Sequence, residues 1–187
     1  MSSILKVDQL QDSGGNNLVT SNGSGVITSA GFGKVAQVLE GTTTTEFLVS
    51  TPTDNQLYYP SSNKLTVSIT PNSTSSKILV TYISTIRVKR LSSGSGDTGG
   101  GMVLKETIDG TSTDIKPDDT AFSSGIYITN FSANANIRAR LSEHMLRSPS
   151  TTSEITYEVG IMGYHAQEVR FNDDNGNARI QVMEILP

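Results

Sequence analysis

Apolar and polar residues alternate with a period of two along much of the chain. Leu65, Val67 and Ile69 fall on one side of an extended segment and Thr66, Ser68 and Thr70 on the other, which describes a strand with one dry face. From Lys77 to Leu91 the run is longer, and Ile78, Val80 and Tyr82 are matched across the backbone by Leu79, Thr81 and Ile83. Both faces are apolar there, so this strand is predicted to be central and covered on two sides. Similar segments, bounded by turns rich in Gly, Asn, Ser and Pro, predict strands at Lys34–Glu40, Thr45–Ser50, Leu57–Tyr59, Met102–Ile108, Gly125–Phe131, Asn136–Met145, Ile155–Tyr164 and Arg179–Leu186. No segment repeats apolar residues at helical spacing over three turns, and Leu141–Leu146 is the one stretch to watch as a helical exception. Roughly eight to ten strands without crossover helices must pair antiparallel, which predicts an all-β fold, an antiparallel β-sandwich of jelly-roll type.

The opening residues read differently. Ile4, Leu5, Val7 and Leu10 form a short apolar patch, and the Gly/Asn/Ser tracts at 12–17 and 21–25 then interrupt the chain too often for it to build a core of its own. Leu18-Val19 and Val26-Ile27 are two short extended pieces between those turns. Segments so short bury too little to offset the ~1–2 kcal/mol per residue that ordering the backbone costs. Residues 1–32 are therefore expected to be an extended attachment arm and residues 33–187 the sandwich body, with the boundary at Gly31-Phe-Gly33.

The run Ile4-Leu-Lys-Val-Asp-Gln-Leu-Gln-Asp12 followed by Gly15-Asn-Asn17 resembles the opening of small tail-fibre and other virion structural proteins of marine tailed bacteriophages. The strand pattern of the body is similar to that of compact trimeric jelly rolls of the tumour-necrosis-factor and complement-head type, which recur as phage fibre tips. These resemblances imply a virion protein that assembles in the host cytoplasm, is anchored by Ile4, Leu5, Val7 and Leu10, and forms a homotrimer. The last strand carries Ile180, Val182 and Leu186 on one face and Met183 and Ile185 on the other. A strand apolar on both faces does not sit at a solvated edge, so it is expected inside the body or against a threefold axis, and these five residues are the candidate subunit interface.

Composition narrows the partners. A net charge of −4 argues against a sequence-independent grip on nucleic acid, which needs Lys and Arg gathered on one face. There is no cysteine, so neither disulfides nor thiolate metal sites hold the fold. No apolar run reaches the ~18 residues of a membrane span, and no secretion signal is read at the N-terminus, so membrane insertion is not expected.

The motifs that could carry chemistry fail on context. Gly94-Ser-Gly-Asp-Thr-Gly99 has the spacing of a dinucleotide loop but leads into a strand, where the pyrophosphate needs a helix N-terminus. Asn172–Asn177 looks like a calcium loop, yet aligned on Gly176 it puts Phe171 and Val182 where carboxylates are required. His144 and His165 are the only histidines and have no partner at ligand spacing. Asp118-Asp119 follows Pro117 as a turn, and no serine sits in a nucleophile elbow. No metal, cofactor or catalytic set is predicted. Candidate ligand contacts are Tyr58 and Tyr59, for stacking on a host surface glycan, the basic strand end at Arg87 and Lys89, and Asp173 and Asn175 in the last loop.

The expected function is thus that of a non-enzymatic, short trimeric tail fibre or adhesin. A capsid decoration or head-fibre protein is the alternative within the virion class, and a free carbohydrate-binding module is the alternative outside it.

Overall fold

The computed structural model describes residues 9–15, 17–21, 27–29, 34–91, 96–115, 125–174 and 176–187. Every element among them is a strand. Near the N-terminus β1 (Gln9–Gln11), β2 (Asn17–Ser21) and β3 (Ile27–Ser29) pair in chain order as a small antiparallel sheet of their own. The segment expected to be simply extended is therefore partly folded back on itself: β1 joins β2 through a turn in which Asp12 accepts the Gly14 and Gly15 amides.

The body is two sheets, each of six strands. The first is built on β8 (Lys77–Arg90). One edge of β8 is paired along its length by β12 (Asn136–Arg147). The other edge is shared end to end by β15 (Ala178–Leu186), opposite Lys77–Ile83, and β14 (Ala166–Phe171), opposite Ile86–Arg90. Outside these lie β4 (Lys34–Thr43) against β15 and β5 (Phe47–Ser50) against β14.

The second sheet is built on β9 (Thr98–Ile108) and β13 (Ile155–Tyr164), with β10 (Thr111–Ile115) and β11 (Gly125–Ile128) along the outer edge of β9, and β6 (Leu57–Tyr58) and β7 (Thr66–Ile69) along that of β13. All these pairings are antiparallel. The order β4-β15-β8-β12 facing β7-β13-β9-β10 is the winding of a jelly roll.

Period-two patterning explains the layers. On β8 every second residue from Ile78 to Val88 is buried, and these meet Ile155, Tyr157, Val159 and Ile161 of β13 and Met102 and Leu104 of β9 in one core. Burying each such aliphatic side chain contributes about 1.5–3 kcal/mol. Two strands do not show in the apolar pattern. β10 has a single apolar residue and is held by the two-residue Asp109-Gly110 turn, whose φ values of 49° and 76° match the mirror-image turn a tight hairpin needs. β14 starts one residue after β13, where His165 at φ 46° swings the chain from one sheet to the other. Leu141–Leu146 lies within β12 and is strand, not helix: its side chains alternate between half-buried and exposed as a sheet edge demands.

Candidate interaction surface

The outer face of the first sheet has a composition that changes along the strands. Residues in register across an antiparallel sheet share a face. The row Val38–Met183–Leu79–Leu146 crosses β4, β15, β8 and β12 and is apolar throughout. Val38 is 48% exposed and Leu146 55%, while Met183 and Leu79 are half-buried. The neighbouring row adds Ile185 and Val35, the latter 51% exposed. This end of β8 is also where the N-terminal segment enters the body, because Lys34 lies opposite Leu186.

Toward the other end the face becomes polar, then charged. Arg87 and Arg138 stand directly opposite each other on β8 and β12, a like-charge pairing that destabilises a sheet unless an anion lies between. Asp173 supplies it, with Oδ1 3.3 Å from Arg87 Nε and Oδ2 2.5 Å from Arg138, while Asp174 takes the second Arg138 nitrogen at 2.6 Å. The two aspartates hold the Arg138 guanidinium above its ordinary pKa, although burial acts the other way. Glu168 gathers Arg87, Lys89 and Arg170, and Arg170 also reaches Glu46.

Several sequence-based assignments change on this geometry. Ile180 and Val182 cannot form a subunit interface: both are fully buried in their own protomer, on the inward face of β15 against the second sheet. The inward series continues with Glu184, not with an apolar residue, and Leu186 is left half-buried at the rim. Only Met183 and Ile185 of the five face outward. Asp173 is not a ligand contact, since its side chain is almost fully buried and spent on two arginines. Arg87 and Lys89 are likewise engaged in ion pairs across the face. Asn175, Ile4, Leu5, Val7 and Asp118-Asp119 lie outside the described residues, whereas Leu10 is on β1 and 54% exposed.

Tyr58 ends β6 of the second sheet and Tyr59 follows it. The Tyr59 ring lies on Gly160, where a Cβ would come within 2.6 Å of ring carbons, and Lys105 Nζ sits 4.0 Å from the ring centroid. Its hydroxyl donates to Asp114 at 2.7 Å, and burial together with that bond pushes the phenol pKa well up. Tyr58 accepts from the Thr53 amide and donates to Gln56. Both phenols are thus committed to their own chain.

The sequence reading missed Val35, Val38, Leu79 and Leu146 as a group. Each is an ordinary strand residue, and only the register brings them into line. Among the described residues no three His, Asp or Glu side chains are gathered to hold a metal ion, and no helix is long and apolar enough to cross a membrane.

No protein-family model and no curated protein matches this sequence. Among solved structures, the Eiger TNF from S. frugiperda is similar at 7% identity with a TM-score of 0.43, over 80% of this chain and 93% of that one. A chain of infectious bursal disease virus, Gx strain, is similar at 9% identity with a TM-score of 0.30, over 87% of this chain and 42% of that one. Likeness at this level carries no functional argument.

Proposed function

We propose that the chain is a non-catalytic structural protein of a tailed-phage virion, self-associating through the apolar end of its first sheet and tied to another virion protein by its N-terminal segment. The observation that carries this reading is the row Val38–Met183–Leu79–Leu146, extended by Val35 and Ile185. Contiguous exposed apolar patches on soluble monomers are small, and a larger one marks a contact. The row runs out to β12, which among the described residues is paired on one edge only. A β12 edge packed on the β4–β15 face of the next copy is a heterologous contact, and three such contacts close a ring. Three is the number implied by the resemblance of the strand pattern in the sequence to compact trimeric jelly rolls. The attachment role of Ile4, Leu5, Val7 and Leu10 rests on the resemblance of the first seventeen residues, and it agrees with the entry of that segment beside the same apolar end.

Sedimentation velocity on the full chain tests the assembly. A trimer is expected at micromolar concentration, and Leu146→Glu combined with Val38→Glu should yield folded monomer. A wild-type chain that stays monomeric would overturn the reading. Gold labelling of intact particles then separates a tail fibre from a head decoration.

A further inference from the structure

At the end of the body farthest from the apolar patch, five residues from four segments converge, Tyr164 and His165 being consecutive. Tyr127 of β11 and Tyr164 of β13 are both in register with Gly99 of β9 and so share one face of the second sheet. Their ring centroids are 6.3 Å apart at 51°. Tyr164 continues onto the His165 imidazole, 3.9 Å away and tilted by 31°. Each end of this succession of rings is closed by a carboxylate. Asp97 accepts the Tyr127 hydroxyl at 3.0 Å. Asp54 accepts the His165 amide at 2.7 Å and lies 3.4 Å from its Nε2. His165 holds a left-handed backbone, φ 46°, which is uncommon for a non-glycine residue. Tyr127 is 43% exposed, and the side chains of His165 and Asp54 are 37% and 41% exposed.

We infer that this Asp97–Tyr127–Tyr164–His165–Asp54 row binds a neutral pyranose glycan. The partly exposed Tyr127 and His165 side chains offer aromatic surface to the C–H groups of a sugar. Carboxylates beside them accept sugar hydroxyls in charge-assisted hydrogen bonds. Two carboxylates in so short a row disfavour an anionic sugar. The site is distinct from the Tyr58–Tyr59 pair, where the Tyr59 ring lies on Gly160 with Lys105 Nζ over it. It also lies at the far end of β8 from Lys34, because His165 adjoins Ala166, which pairs with Arg90. A chain anchored at its apolar end would present these rings outward. The inference stands independently of the assembly reading.

Saturation-transfer NMR on the full chain tests it, with methyl pyranosides of glucose, galactose, mannose and N-acetylglucosamine as neutral probes and glucuronic and N-acetylneuraminic acids as anionic ones. Transfer is expected to the C–H protons of at least one neutral probe and to neither acid. Tyr127→Ala and Tyr164→Ala should each weaken binding about three- to tenfold. Tyr127→Phe, which keeps the ring, should retain most of it, and thermal melts verify that each variant is folded. Absence of transfer to every neutral probe overturns the inference, as does undiminished binding by folded Tyr127→Ala or preference for an acid. Sedimentation of the same variants reports assembly separately.

Discussion

Replacing Glu184 offers the sharpest test of how the body is held together. Its side chain is fully buried on the inward face of β15, at a position where the alternation calls for an apolar residue. Four donors from three residues converge on it: the Asn72 amide at 2.6 Å and Nδ2 at 2.7 Å, Ser76 Oγ at 2.6 Å and Gln37 Nε2 at 2.7 Å. A carboxylate has about four lone-pair sites, so its acceptor capacity is used in full. The group thereby ties β4 and the β7–β8 connection to the last strand, beside the bulge where Ala36 is the unpaired residue of β4. Burial by itself raises the carboxyl pKa, but the bonds from Ser76, Gln37 and Asn72 outweigh it and hold the group below its ordinary value.

Glu184→Ala leaves those donors without an acceptor and opens a cavity. Hydrogen bonds to charged groups contribute about 1.5–3 kcal/mol each and do not add fully, so a loss of about 4 kcal/mol is expected. For a chain of this size that lowers Tm by about 8–16 °C. Glu184→Gln keeps the shape but turns an NH2 toward other donors, and should fall about halfway between wild type and alanine.

The pH dependence has a definite sign. A folded pKa below the unfolded one means that the unfolded chain takes up the proton first. The contribution is complete above the unfolded value, about 4.3, and is lost as pH falls through the lower folded value. Urea titrations of wild type and Glu184→Gln between about pH 6 and 3 measure both quantities, and the difference between the two should shrink as pH falls. An alanine variant that melts within about 2 °C of wild type, corresponding to less than about 1 kcal/mol, would refute the reasoning.

Two further substitutions probe other joints. Arg147 of β12 reaches from the first sheet to the buried Glu106 of the second, whose carboxylate also accepts the Tyr157 hydroxyl at 2.9 Å, so Arg147→Ala should cost about 3 kcal/mol in a denaturant titration by leaving that charge uncompensated. Gly160→Ala places a methyl within 2.5 Å of the Tyr58 carbonyl oxygen and the Tyr59 ring, and should lower Tm by several degrees; an unchanged melt would mean that the ring does not rest on that glycine.

Much of the architecture follows from local pattern. Leu65, Val67 and Ile69 are buried as their alternation requires, and Lys77–Leu91 is the central strand that its two apolar faces predict. Alternation works because side chains of an extended backbone point to opposite faces in turn, a property of each residue and its immediate neighbours. It fails for Thr111–Ile115, whose polar residues form a strand because the Asp109-Gly110 turn lays them against β9, and for Ala166–Phe171, which begins within one residue of the preceding strand. Leu141–Leu146 carries no decisive local preference and becomes strand by pairing along β8.

The surfaces were less legible. Val38, Met183, Leu79 and Leu146 are up to 145 positions apart, given the chain numbering, and meet only through register. Asp54, Asp97, Tyr127 and the consecutive Tyr164-His165 meet only because segments distant in the chain reach one pole of the sandwich. What the amino-acid order settled alone is the strand-rich class and the dry face of its most regular strands, since period-two alternation is a nearest-neighbour property. Tertiary structure decided that Ile180 and Val182 face their own core, that Glu184 can be buried as an anion, and that Asp173 serves two opposed arginines. Those outcomes depend on donors, cations and opposing sheets supplied by distant segments, and no local pattern encodes which of them will arrive.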